Sequence, residues 1–129
     1  MTVNRFGHID LRVSNLGSAL AFYKQLLPAL GFTLESQGES WIVFAPEGEF
    51  PERPFFGLTE DLQHQPNKNR IAFWAGSPDE VDRLAELIRD AGGQNIGGPR
   101  DCPEYSSTYH AVFFDDPSGN ALEVYFRTN

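Results

Sequence analysis

Three side chains able to carry chemistry stand at alternate positions of "RFGHIDLRV", residues 5–13: His8, Asp10 and Arg12. Strand side chains alternate in direction, so the imidazole, carboxylate and guanidinium share one face, with Phe6 beside them. Ile9, Leu11 and Val13 take the other face, which suits a core. A second candidate is Glu123 in "ALEVYF". Flanked by Leu122 and Val124, its carboxylate needs a partner where it is buried. Arg70, at the start of "RIAFWAG", could supply that charge. Asp10 and Arg12 are candidates to pair with each other, or with Arg70. Cys102 is the only cysteine, so no intrachain disulfide can form and a cytoplasmic location is the expectation. It stands in a Pro-rich loop without a neighbouring lysine or histidine, which argues against a nucleophile. His64 falls in a polar stretch and reads as solvated. Serine nucleophile elbows, Gly-rich phosphate loops and paired-cysteine zinc motifs are absent. "GGQNIGGP" follows a helix and reads as a flexible rim loop.

The elements that must position these residues follow from periodicity. "SNLGSALAFYKQLLPALGF" places Leu16, Ala19, Leu20, Tyr23, Leu26 and Leu27 at three- and four-residue intervals, the pattern of an amphipathic helix. Pro28 is expected to end or kink it. "SWIVFAP" and "RPFFGL" read as strands separated by the turn-forming "PEGEFPERP", and Thr33–Glu35 is a candidate for another. "RIAFWAG" is a strand with Ile71, Phe73 and Ala75 on one face and Arg70, Ala72 and Trp74 on the other. In "SPDEVDRLAELIRDAGG", Ser77 caps a helix, Pro78 suits its first position and Glu80 completes a capping box. Val81, Leu84, Leu87 and Ile88 form its apolar stripe, and Gly92 with Gly93 stops it. "YHAVFFDDPSGNALEVYF" is a hairpin around a Pro-Ser-Gly turn.

The two halves repeat one plan. A shift of 62 residues carries His8 onto Arg70, Ala19 onto Val81, Leu26 onto Ile88 and Gly31 onto Gly93. Helix stripes and Gly-marked helix ends therefore coincide, and the order of elements matches, which indicates duplication. "TEDLQHQPNKN" is the linker between halves. With 129 residues and 40% hydrophobic content, the chain can bury one domain's core. Its net charge of -8 argues against nucleic-acid and anionic membrane partners. No apolar run approaches membrane-spanning length, and the amino terminus shows no signal-peptide core.

"GHIDLRVSNLGSALAFYKQLLPALGF", "RIAFWAGSPDEVDRLAELIRDAGG" and "PEYSSTYHAVFFDDPSGNALEVYF", the last with its "DPSGN-ALE" core, resemble the vicinal oxygen chelate superfamily. That group contains glyoxalase I, extradiol dioxygenases and bleomycin-resistance proteins. The resemblance implies an α+β fold of two β-α-β-β-β modules. Their curled mixed sheets would form an open cleft, with the helices on the convex side. It implies one domain over residues 1–129, with module one at about 5–58, a linker at about 59–69 and module two at about 70–126. It also implies a homodimer and a small-molecule partner.

Members of the superfamily hold a metal with a histidine on a module's first strand and a glutamate on its last. His8 and Glu123 match those positions. Arg70 stands where the second histidine is expected, and a guanidinium has no lone pair for a metal. "RPFFGL" offers no ligand at all. Pairing the last hairpin as Phe114 with Ala121 would set Val112 against Glu123 and turn His110 to the same face. His8, Glu123 and His110 are then the candidate ligands for a divalent Zn, Fe, Mn or Ni. Glu123 is also the candidate catalytic base. Arg70, Arg12, Asp10, Phe56, Trp74 and Tyr125 are the candidate substrate-binding residues, while the direction of Trp41 is not fixed by the pattern. Two functions follow. One is a metal-dependent lyase or dioxygenase of the glyoxalase type acting on vicinal oxygens. The other is a metal-free ligand- or drug-binding protein, with Arg70 paired to Glu123.

Overall fold

The computed structural model describes residues 5–48 and 53–128. Residues 49–52 of the expected turn "PEGEFPERP" lie outside the described residues. The elements run β1 (His8–Val13), α1 (Leu16–Ala29), β2 (Leu34–Gln37), β3 (Trp41–Ala45), β4 (Phe55–Glu60), β5 (Arg70–Trp74), α2 (Pro78–Ala91), β6 (Gln94–Asp101), β7 (His110–Asp115) and β8 (Ala121–Phe126). They fall into two compact units, residues 1–64 and 65–129. Each unit is a helix on a four-stranded mixed sheet, ordered β1-β4-β3-β2 in the first and β5-β8-β7-β6 in the second. In each, the first strand pairs parallel with the last: His8 with Phe55, and Arg70 with Ala121. The remaining pairs are antiparallel. The helices are both 14 residues long and start 62 positions apart, the spacing read from the sequence.

Local chemistry explains the helix ends. Asn15 caps α1 by accepting from the Ser18 amide at 2.9 Å, and Glu60 accepts from the Leu16 amide at 2.9 Å. A carboxylate there also complements the positive end of the helix dipole. Pro28 lies inside α1, which ends one residue later at Ala29. Its missing donor matters little so close to the end. In α2, Ser77 Oγ accepts from the Glu80 amide at 3.1 Å, and Glu80 Oε1 accepts from the Gly76 amide at 2.8 Å. Gly92 ends the helix at φ 104°, a left-handed conformation that glycine adopts without penalty.

The cores follow from alternation. In the first unit Phe22, Tyr23, Leu26 and Leu27 of α1 are buried together with Val13, Ile42, Phe44, Phe56 and Leu58. In the second, Val81, Leu84, Ala85 and Ile88 of α2 are buried with Val112, Phe114, Leu122 and Val124. The other face of each sheet carries no helix of its own unit. His8, Asp10, Arg70, Ala72 and Trp74 are all exposed there.

Two expectations are corrected. "GGQNIGGP" is not a rim loop: it forms most of β6, an edge strand paired to β7 with two register shifts. The shifts break the alternation by which a strand is recognised, and glycine tolerates the backbone they require. Phe56 does not line a site. It is 2% exposed and packs under α1 against Tyr23, at 5.9 Å between ring centroids. Its neighbour Phe55 is the one that faces away from the helix.

Candidate functional site

The face of the first unit opposite its helix begins with His8. Its ring stacks on that of Phe55, its partner across the parallel ladder, at 4.4 Å and 3°. Among the described residues the imidazole takes part in no hydrogen bond, so both nitrogens remain available. One row along, Asp10 accepts from Arg12 at 2.8 Å and from the Thr59 hydroxyl at 3.1 Å. These two charges thus support each other, and both side chains are about half exposed. Trp41 closes the same recess, of about 210 Å3, together with Val43 and Gly57. Its direction is set by a close approach: a side chain on Gly38 would collide with the Trp41 indole. Gly57 holds the ladder position that corresponds to Glu123 in the second unit, since Asp10 pairs with Gly57 as Ala72 pairs with Glu123. The first unit therefore has an imidazole but no carboxylate in the matching place.

In the second unit Glu123 is 5% exposed and Tyr109 donates its hydroxyl hydrogen to Oε2. Tyr109 stacks on Tyr125 at 5.1 Å and 7°, and Tyr105 meets its edge at 5.1 Å. Burial, and then the bond to Glu123, push the Tyr109 phenol well above its ordinary range, so the proton stays on the tyrosine. Arg70 does not pair with Glu123. Its guanidinium carbon lies 4.9 Å from the centre of the Phe113 ring, and Arg100 reaches the same ring at 5.5 Å. The expected Arg70–Glu123 ion pair is thus replaced by a hydrogen bond on one side and a cation–π contact on the other. Trp74 is 76% exposed and, with Tyr125, Ala75, Arg127 and Thr128, lines a recess of about 320 Å3.

The expected convergence of His110 with Glu123 fails by one residue. Asp116 and Asn120 close the hairpin, so Asp115 pairs with Ala121 and Phe113, not Val112, stands opposite Glu123. Tyr109, Ala111 and Phe113 therefore share the Glu123 face, and His110 points to the helix side. There its two ring nitrogens meet Asp101 at 2.8 Å and Asp82 at 2.7 Å. An imidazole with a carboxylate on each nitrogen is a clasp joining β7 to β6 and α2, and the two carboxylates favour its protonated form. The bond to Asp82 first, and that to Asp101 after it, hold its pKa above the ordinary 6.5, against the opposing effect of burial. A raised folded-state pKa stabilises the fold fully below the unfolded value, and that contribution is lost as pH rises through the folded one. Thermal unfolding from pH 5.5 to 9 is therefore expected to show the midpoint falling as pH rises above about 6.5. A His110→Gln variant should flatten this slope, and an equal slope in the variant would refute the clasp.

Two other sequence readings meet the structure here. Cys102 is fully buried, its thiol pushed up by burial and directed at the Arg100 carbonyl at 3.7 Å, the surroundings of an inert thiol. His64 is not simply solvated, because its Nε2 is buried and makes no hydrogen bond among the described residues.

Among the described residues no three His, Cys, Asp or Glu side chains are grouped as a metal would need. In the second unit the histidine position holds a cation already laid on an aromatic ring, Glu123 accepts from Tyr109, and His110 is turned away. The sequence reading missed Tyr109, Phe113 and Arg100, although counting alternate positions back from Phe113 would have found Tyr109.

Comparison with known proteins agrees with this architecture. Residues 5–124 match the model of the Glyoxalase/Bleomycin resistance protein/Dioxygenase superfamily. Metapyrocatechase from Pseudomonas sp. (strain CF600) is 29% identical over 123 residues, which cover 95% of this chain but only 38% of that protein. Virulence protein STM3117 of Salmonella typhimurium is 20% identical over 96% of this chain and 85% of its own length. A glyoxalase/bleomycin resistance protein from Albidiferax ferrireducens superposes with a TM-score of 0.75 at 22% identity, covering 97% of this chain and all of that one. The fosfomycin resistance protein FosX of Listeria monocytogenes reaches 0.72 at 22% identity, covering 98% and 96%. The chain belongs to the glyoxalase/bleomycin resistance protein/dioxygenase superfamily, the vicinal oxygen chelate group.

Proposed function

We propose that this protein binds a small organic molecule on the helix-free face of its second unit, without a metal ion. The observation that carries this reading is Arg70. At the strand position where the superfamily places a metal-binding histidine, this chain has a permanent cation seated on Phe113. A fixed positive charge repels a dication and attracts an anionic or carbonyl oxygen instead. Exposed Trp74 and half-buried Tyr125 on the same face supply aromatic surface for the rest of a ligand. Small-molecule sequestration, as in the drug-binding members the resemblance implies, needs nothing more.

A metalloenzyme acting through His8 and Glu123 is the second reading, favoured by the hydrogen-bond-free imidazole of His8. Metal analysis of protein purified without chelating resin separates the two. Wild type, His8→Ala and Glu123→Ala are expected to carry the same substoichiometric metal. One metal per chain in wild type, lost in both variants, would overturn the metal-free reading. The proposal includes a homodimer in the cytoplasm, as the resemblance implies. β1 and β5 are sheet-edge strands whose second backbone edge is unpaired within their own sheets, and such edges invite a neighbour.

A further inference from the structure

We propose that the ligand is a planar carboxylate, its anionic group held by Arg70 and its ring laid against Trp74. This rests on the binding reading above and names the class of molecule.

The argument begins with unused donors. A guanidinium stacked on a ring spends its flat face and keeps the N–H fork along its edge, which matches a carboxylate. Arg100, the other cation on Phe113, is occupied by Glu104 at 3.3 Å and by the Asp101 carbonyl at 3.4 Å. Arg70 has no such partner: among the described residues it takes part in no hydrogen bond or ion pair. The carboxylates closest to it by strand register are both engaged. Glu123 accepts from Tyr109, and Asp115 accepts from Asn95 Nδ2 at 2.8 Å. The five donors of Arg70 are held in place by Phe113 and await an acceptor.

Strand parity then supplies the shape. Arg70, Ala72 and Trp74 project from one face of β5, and Ala121, Glu123 and Tyr125 line up beside them on β8. Between the arginine and the indole stands Ala72, with Glu123 beside it on β8 and its Oε2 taken by Tyr109, while Ala121 lies beside Arg70. Four residues of strand span about 13 Å between the Arg70 and Trp74 backbones. The arginine itself reaches across the sheet to Phe113 of β7, whose row carries Ala72 and Glu123 and is the next one to that of Trp74 and Tyr125. Trp74 and Tyr125 bound the far end, beside the recess of about 320 Å3.

The test uses benzoate and neutral benzyl alcohol as probes, with fluorescence as the readout. The chain has two tryptophans, so in a Trp41→Phe background the signal belongs to Trp74 alone. Benzoate is expected to quench Trp74 with at least tenfold greater affinity than benzyl alcohol. Arg70→Gln should remove that preference and leave the alcohol unaffected, while Arg70→Lys should restore part of it. Equal affinities for both probes, unchanged by Arg70→Gln, would overturn the carboxylate assignment yet leave ligand binding standing. Loss of the preference in Arg127→Gln rather than Arg70→Gln would overturn the role given to Arg70. No response to either probe would overturn both readings.

Discussion

Replacing Asp116 by alanine is expected to destabilise the protein by about 3–4 kcal/mol, because its carboxylate organises the turn that sets the register of the β7–β8 hairpin. The side chain is fully buried. It accepts from the Ser118 amide at 2.8 Å, the Asn120 amide at 2.9 Å and Asn120 Nδ2 at 3.0 Å. Hydrogen bonds to a charged acceptor contribute about 1.5–3 kcal/mol each, and truncation strands buried donors rather than returning them to water. The backbone adds a closing pair, Asp116 N–H to Asn120 C=O at 2.9 Å, with Gly119 at φ 84° making the reversal. Urea unfolding checks the prediction as a lower midpoint at unchanged slope. Asp116→Asn should fall between wild type and alanine, since it keeps one acceptor oxygen. A loss below about 1 kcal/mol in the alanine variant would mean that something other than this carboxylate fixes the turn.

Phe56→Ala is expected to cost about 3–5 kcal/mol, the range for emptying an aromatic site in a packed core. Its neighbour sets the contrast. Phe55 stacks on His8 on the helix-free face, where water can fill the space left by truncation, so Phe55→Ala should cost about 1 kcal/mol or less. Parallel denaturation of the two variants tests the strand parity directly. Similar losses would indicate that both rings are core. Phe56→Ala should also leave Trp74 quenching by benzoate intact once measured below its lowered unfolding temperature, because Phe56 belongs to the other unit.

The contrast between these adjacent phenylalanines shows which parts of the fold could be read in advance. α2 is written locally: Ser77, Pro78 and Glu80 open it, Gly92 closes it, and no distant contact is needed. β1 and β5 alternate cleanly, so the faces of His8 and Arg70 follow from parity. In "RPFFGL" two aromatic residues stand side by side, and either would fill a core. Only the ladder to β1 decides that Phe56 goes inward. The misplacement of His110 has a related cause. "DDPSGN" offers two aspartates as the turn's first residue, and choosing between them shifts the pairing by one and exchanges the faces of β7. The backbone closes at the second aspartate, so Tyr109 rather than His110 reaches Glu123. β6 was hidden because glycine and irregular pairing erase the alternation that identifies strands.

Gly57 gives the duplicated architecture an evolutionary dimension. A Cβ at that position would meet nothing closer than the Ile9 carbonyl at 3.5 Å, an ordinary van der Waals distance. The backbone at this place in the first unit thus tolerates a Cβ, the first atom of any counterpart to Glu123. One residue change would place a carboxylate one ladder row from His8. The two units share helix lengths and strand pairing, while the side chains on their helix-free faces differ: imidazole and glycine in one, guanidinium and glutamate in the other. The first copy thus remains a scaffold on which selection could build new chemistry without disturbing the core beneath it.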